Sequence, residues 1–207
     1  MSWLFAPIYD ALMKNTEANC LGEWRKALLQ HASGRVLEIG GGTGVNLQYY
    51  PNNLERVIIT EPDSGMKKQL DQKFKTLGKS EFETVNAKAE ALPFDNASFD
   101  TLVSTLVLCT VDDPAKSLQE ISRVLKPGGK LIFIEHVHAH DNPGRARWQQ
   151  RIEPIWKHLA GGCHLTRDTL SEIENVGLKV DNLTHQSLRK APAFIRPSIR
   201  GIAQKVI

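Results

Sequence analysis

The chain has 207 residues, 41% hydrophobic, 24% charged and 7% aromatic, which is the composition of a globular protein and suits one α/β domain with a full core. Lys plus Arg number 26 against 23 Asp plus Glu, a net charge of +3, too small an excess to mark a nucleic-acid binder. No apolar run approaches the roughly 18–20 residues of a membrane span, and the start lacks the basic and apolar regions of a secretory signal. Two helical segments come first, roughly Pro7–Lys14 and Ala18–Gln30. From Arg35 onward, β-rich runs alternate with helical stretches. The runs are Val36–Ile39, Val57–Thr60, Glu83–Val85, Thr101–Val103 and Lys130–Ile134, and the helices between include Ser64–Leu77 and Pro114–Leu125. Such alternation predicts βαβ units and a largely parallel sheet, and the apolar runs suit strands buried on both faces. Lys126-Pro127-Gly128-Gly129 reads as a turn before the fifth run. Beyond it, Arg147–Leu159 and Thr166–Val176 read as helices, Thr166 capping the second. Two weaker strands are expected at about 178–185 and 198–206.

The most informative stretch is Glu38-Ile39-Gly40-Gly41-Gly42-Thr43-Gly44, where an apolar strand runs into glycines and then a helix near Val45. Glycine permits a tight turn and close approach of backbone to ligand, and a helix start offers free N–H groups. The dinucleotide fingerprint G-x-G-x-x-G fails, because position 45 is Val. Glu61 follows Gly44 by 17 residues, at the end of the second strand run. An acid there stands at the sheet's carboxyl edge, where it can accept from ribose hydroxyls. A structural turn and a solvated loop acid are the plainer alternatives. Asp63 is expected to cap the helix that follows.

The E-x-G-x-G-x-G pattern resembles the first motif of class I S-adenosylmethionine-dependent methyltransferases. Ala89-Glu90-Ala91-Leu92-Pro93-Phe94 followed by Ser98-Phe99-Asp100, and Leu118-Gln119-Glu120 through Arg123-Val124-Leu125-Lys126-Pro127-Gly128-Gly129, resemble later motifs of the same family. The resemblance covers about 35–135. It implies a doubly wound, Rossmann-like α/β fold with a seven-stranded sheet, the last strand antiparallel, with extra N-terminal helices and a helical insert after strand five. It also implies S-adenosylmethionine as cofactor, held by Glu38, Gly40, Gly42, Gly44, Glu61, Ala89 and Glu90. Many members carry Asp before the Ala-Glu pair to accept from the adenine amine. Here Lys88 stands in that place, and a cation cannot accept. Adenine is then left to the Ala89 backbone and the Glu90 carboxylate.

A narrower resemblance lies outside these motifs. Thr105 through Val111, Glu135-His136-Val137, Trp148-Gln149-Gln150, Glu153-Pro154, Gly162 through Arg167 and Arg196 through Gly201 are similar to the alkyl thiol S-methyltransferase branch. The implied acceptor is a small thiol or hydrogen sulfide. A free thiol has a pKa near 8.5, so a base or a lowered pKa helps. His136, His138 and His140 are spaced to share one face if the strand continues, and His136 is the candidate catalytic base. Cys109, Cys163 and His164 are candidate acceptor-pocket residues, with packing as the alternative. No metal site is expected, since no acidic or cysteine partner is spaced to complete one. Cys20, Cys109 and Cys163 form neither a C-x-x-C pair nor a disulfide framework, so a reducing, cytoplasmic setting is expected. Their separation also weakens an arsenite-methyltransferase alternative. Trp148 and Trp156, eight apart, share a helical face and are expected to pack in core or lid. Two further readings stay open: a methyltransferase for a membrane-associated acceptor such as a quinone precursor or phospholipid amine, and a non-catalytic binding module. Residues 1–33 are expected to form an N-terminal lid segment, and 34–207 the methyltransferase domain. A helix packed permanently on the core and peripheral membrane contact through Trp3-Leu4-Phe5 are the alternatives to the lid.

Overall fold

The computed structural model describes residues 13–78 and 81–206. The expected lid helix, Pro7–Lys14, falls largely outside the described residues. A π-helical turn, Glu17–Leu21, leads into α1 (Gly22–Leu29), and β1 (Arg35–Ile39) follows. Next come a short 3-10 turn at Val45–Gln48, β2 (Arg56–Thr60), α2 (Ser64–Leu77), β3 (Phe82–Val85) and β4 (Phe99–Thr105). The chain continues with α3 (Pro114–Val124), β5 (Leu125–His136), α4 (Pro143–Leu159), α5 (Thr169–Asn175), β6 (Leu178–His185) and β7 (Ser198–Lys205).

The seven strands form one sheet in the order β3-β2-β1-β4-β5-β7-β6. The first five run parallel, and β7 lies antiparallel between β5 and β6. Successive residues of a strand face opposite sides, and the core divides accordingly. Leu37, Leu102, Leu131 and Phe133 meet Leu118 and Ile121 of α3 and Ile173 of α5. Val36, Val57, Ile59, Val103 and Ile132 meet Leu29 of α1 and Leu70 of α2. Chain order reverses between β1 and β4, so their carboxyl ends diverge and open a crevice where ligands of such sheets bind.

Asp63 caps α2 as its sequence position predicts, accepting from Gly65 N at 3.0 Å and Met66 N at 2.9 Å. Three local readings are corrected. The expected turn at Lys126–Gly129 is an irregular start to β5: pairing with β4 jumps from Phe99↔Leu125 to Thr101↔Lys130. Lys126 is held there by Asp100 at 2.7 Å. The insert helix α4 starts four residues early, because Asn142 caps it through Arg145 N at 3.0 Å and Pro143 suits a first turn. Asp168, not Thr166, caps α5, through Ser171.

Candidate active site

The crevice begins where β1 ends. Glu38 is the last acid of that strand and is buried. Its carboxylate accepts from Asn46 Nδ2 at 2.8 Å and from the Tyr50 hydroxyl at 2.7 Å. Burial raises its pKa to about 7, although both hydrogen bonds and the Arg25 charge pull the other way. Arg25 reaches over from α1, donating to Asn46 Oδ1 at 2.7 Å and Thr105 Oγ1 at 2.9 Å. Its Nε pairs with Glu17 at 3.0 Å. One end of the cleft therefore carries a guanidinium beside a buried carboxyl. Arg25 and Asn46 were not legible in the sequence, because nothing local distinguishes a helix arginine that turns inward.

The glycine loop then turns across the sheet edge. Gly42 has φ +55°, and a Cβ built there meets nothing within 4 Å, so the position opens onto free space. Gly44 differs. Its Cβ direction points at Leu70 and Leu47, at 2.7 and 2.8 Å. It is a packing glycine and does not line the cleft, whereas Glu38, Gly40, Gly42, Glu61, Ala89 and Glu90 all do. Glu61, at the end of β2, accepts from Gly42 N at 2.8 Å and from Asp63 N at 2.8 Å. Burial raises its pKa, and those two bonds oppose the rise. A carboxylate has about four acceptor positions, so Glu61 both ties the loop to β2 and keeps acceptor capacity toward the cleft. Farther along, Glu90 accepts from Asp112 N at 2.8 Å and Asp113 N at 3.3 Å. Lys88, at the rim of the same cleft, pairs with exposed Asp112, 2.9 Å distant.

The facing wall is the segment after β4. Leu106 sits at φ +60°, a strained backbone for a bulky residue, and the surroundings hold it there. Buried Glu135 accepts from Ser104 Oγ at 2.7 Å, Val107 N at 3.1 Å, Leu108 N at 3.2 Å and Cys109 N at 3.4 Å. Arg167 donates to the carbonyls of Leu108 and Val111. Glu135 and Arg167 thus clamp the wall from two sides. Thr105, Leu106, Val107, Thr110, Val111 and, from the end of α4, Ala160 face the cleft.

Cys109, His136 and Cys163 lie behind this wall and do not line the cleft. The structure brings them together: their donor atoms all lie within 4.8 Å of one another. His136 Nε2 is 2.6 Å from Cys163 Sγ, and Trp156 Nε1 donates to the same sulfur at 3.3 Å. The hydrogen bond from Cys109, opposed by burial and aided by the His136 charge, holds the Cys163 thiol down, and the same contact pushes Cys109 up. His164 stands apart, its Nδ1 3.0 Å from Glu153. The three-histidine face does not form, because β5 ends at His136. His138 and His140 stack edge to face at 4.7 Å beside another hollow. Cysteines 54 residues apart in sequence become neighbours because β4, β5 and the loop after α4 end side by side. Trp156 packs on Phe194, but Trp148 is 61% exposed, so only one of the pair packs as expected.

The Methyltransferase domain family matches residues 37–133. Over 176 residues the chain is 42% identical to thiol S-methyltransferase TMT1B of Rattus norvegicus, covering 82% of this chain and 70% of that protein. It is 32% identical over 203 residues to thiol S-methyltransferase TMT1A of Homo sapiens, covering 97% of this chain and 83% of the relative. The chain belongs to the class I S-adenosylmethionine-dependent methyltransferases, near their thiol S-methyltransferase branch. Among solved structures, an S-adenosylmethionine-dependent methyltransferase of Methanosarcina mazei matches with TM-score 0.67 at 22% identity, covering 91% of this chain and 98% of that one. The [4+2]-cyclase SpnF matches with TM-score 0.73 at 18% identity, covering 90% and 80%. At such identities the likeness shows the fold alone, and a cyclase among the matches illustrates that fold does not fix the reaction. S-adenosylmethionine is the cofactor of this enzyme, and the residues fit it. Gly42 leaves space where a side chain would block, Glu61 offers an acceptor, and the far end sets the Arg25 guanidinium beside the buried Glu38 carboxyl and Asn46, where an amino-acid group can be received.

Proposed function

We propose that the chain transfers the methyl group of S-adenosylmethionine to the sulfur of a small thiol or of hydrogen sulfide. The observation that carries this reading is the clamped wall. From Thr105 to Val111 it offers the cleft apolar and hydroxyl-bearing side chains and no charge, a surface suited to a small, weakly polar acceptor. Similarity to thiol S-methyltransferases covers 97% of the chain in one relative, so it takes in the wall, within 37–133, and also the later segments that support it.

When bound, S-adenosylmethionine supplies an activated methyl on a sulfonium. In this reading Glu61 receives the ribose hydroxyls, Ala89 and Glu90 face the adenine, and Gly40 and Gly42 let the loop lie close against the cofactor. Arg25 and the Glu38–Asn46 pair receive the amino-acid end. A thiol needs little further activation. A few per cent is thiolate near neutral pH, and thiolate sulfur is intrinsically nucleophilic. Alignment and exclusion of water by Leu106, Val107 and Val111 then supply most of the acceleration. Cys109, His136 and Cys163 support that wall from behind. The test is a panel of small alkyl thiols, sulfide, amines and phenols offered with labelled cofactor. Methyl thioethers should dominate, and labelled amine or phenyl ether products without thioether would overturn the acceptor class.

One observation favours a second reading, an acceptor met at a membrane surface. Trp148, Ile155 and Leu159 of α4 are 61%, 65% and 67% exposed and share a helical face. No helix among the described residues is long and apolar enough to cross a membrane. Co-sedimentation with phospholipid vesicles, lost on replacing the three residues with serine, would support surface contact, and vesicle-independent behaviour would remove it.

A further inference from the structure

We infer that Cys109, His136 and Cys163 form a binding site for one thiophilic metal ion, and that zinc(II) is the ion it fits. The inference does not depend on which acceptor the enzyme methylates. Three chain segments deliver the ligands: the wall after β4, the last residue of β5, and the loop after α4. All three side chains are buried, at 1%, 5% and 7% exposure, and their donor atoms lie within 4.8 Å of one another. Two sulfurs and an imidazole nitrogen are a donor set that zinc prefers over magnesium or calcium, which take oxygen. Zinc bonds of about 2.3 Å to sulfur and about 2.0–2.1 Å to nitrogen place tetrahedral ligands about 3.5 Å apart. The His136–Cys163 separation of 2.6 Å must widen by about an ångström to reach this, and Cys109 Sγ lies within 4.8 Å of both.

The surroundings are those of a prepared site. Trp156 Nε1 already donates to Cys163 Sγ at 3.3 Å, the outer hydrogen bond that thiolate ligands commonly keep. Cys163 N bonds Ala160 O at 3.2 Å, and His164 N bonds Cys109 O at 2.8 Å, so the two cysteine backbones are fixed against each other. Glu135, next to His136, anchors Cys109 N. Three protein ligands leave a fourth position for water or an exogenous ligand. Loading is ligand exchange without electron transfer: the zinc–sulfur and zinc–nitrogen bonds form, aqua ligands leave, and thiol protons go to solvent, at most two per ion. An ion held here bolts together the segments that support the wall of the cleft. The remaining cysteine, Cys20, lies elsewhere, bonding Thr16 O and Arg189 N at 3.3 Å each, and serves as a control.

The experiment uses the full chain, reduced, loaded with zinc and dialysed, with bound metal counted by elemental mass spectrometry. One zinc per chain is expected in the wild type and in Cys20→Ser, with loss of stoichiometric zinc in Cys109→Ser, Cys163→Ser and His136→Gln. Cobalt(II) in the wild type should give thiolate-to-cobalt charge-transfer bands and the intense visible bands of a tetrahedral site, and zinc should raise the melting temperature. The cobalt spectrum needs no variant, so it decides the matter if the substituted chains fold poorly. Wild-type protein that loses all zinc on dialysis and shows only octahedral cobalt bands overturns the inference. Retention of zinc by both cysteine variants, or a Cys109–Cys163 disulfide in place of metal binding in the reduced, loaded protein, does so equally.

Discussion

Replacing Gly42 with alanine should separate cofactor binding from folding. A Cβ at this position meets no atom within 4 Å, so the folded chain feels only the left-handed backbone at φ +55°. That conformation costs an L-residue about 1–2 kcal/mol. In a chain of this size each kcal/mol lowers Tm by about 2–4 °C, so a fall of about 2–8 °C is expected. The added methyl stands in the cleft between Glu61 and the facing wall. Forcing a methyl into a filled site costs about 1–3 kcal/mol, which weakens S-adenosylmethionine binding by about 5- to 150-fold. Gly41→Ala provides the contrast. Its Cβ would stand 2.1 Å from Ile59 Cγ2, and Ile59 is fully buried in β2, so Tm should fall further than in Gly42→Ala. Thermal denaturation and calorimetric titration of the two variants measure both effects. Wild-type affinity in Gly42→Ala, or a larger loss of Tm there than in Gly41→Ala, would refute the reasoning.

Glu61→Gln keeps one acceptor oxygen but turns an amide toward the N–H of Gly42 or Asp63. Losing charged hydrogen bonds of about 1.5–3 kcal/mol should cut cofactor affinity by about 10- to 150-fold in calorimetry, and unchanged affinity would remove Glu61 from the site. Arg167→Met strips the clamp from the Leu108 and Val111 carbonyls. The acceptor KM should rise by about tenfold or more, since two hydrogen bonds from a charged group are lost, with cofactor affinity nearly constant; equal losses in both would mean that Arg167 supports the whole fold. Glu38 supplies a pH signature. Folded, it keeps its proton to about 7 instead of 4.5, so between those values the folded state binds more protons and stability falls as pH rises. The full drop is about 3 kcal/mol. Denaturant unfolding at about pH 5 and about pH 8 should show this slope in the wild type and its absence in Glu38→Gln. Identical slopes in the two proteins would contradict the burial of a protonated carboxyl.

The elements governed by local pattern were legible. Ser64–Leu77 is a helix with the bounds its sequence implies, because Asp63 caps one end and Gly78, at φ +62°, closes the other. The succession of strands along the chain and the glycine loop follow from apolar runs and glycine spacing, whereas the seven-stranded sheet with its antiparallel last strand is what the family resemblance implies. What stayed hidden was contact between distant segments. Cys109, His136 and Cys163 stand 27 residues apart in turn, and only the parallel alignment of β4 and β5 with the return of the chain after α4 brings them together. Glu135 read as part of a motif, but its task of holding three backbone N–H groups depends on the turn at Leu106. Spacing alone does not distinguish a glycine facing Leu70, as Gly44 does, from one facing the cleft. Lys126–Gly129 carries turn residues, yet the pull of the β4 ladder draws it into an irregular strand start.

The most direct test follows both products of one reaction: enzyme, S-adenosylmethionine and a small alkyl thiol or sulfide, with methyl thioether and S-adenosylhomocysteine quantified together by mass spectrometry. The account predicts equal amounts of the two, formed over many turnovers by the wild type and greatly reduced in Gly42→Ala at the same cofactor concentration. Cofactor binding without any methyl thioether across the thiols would contradict it.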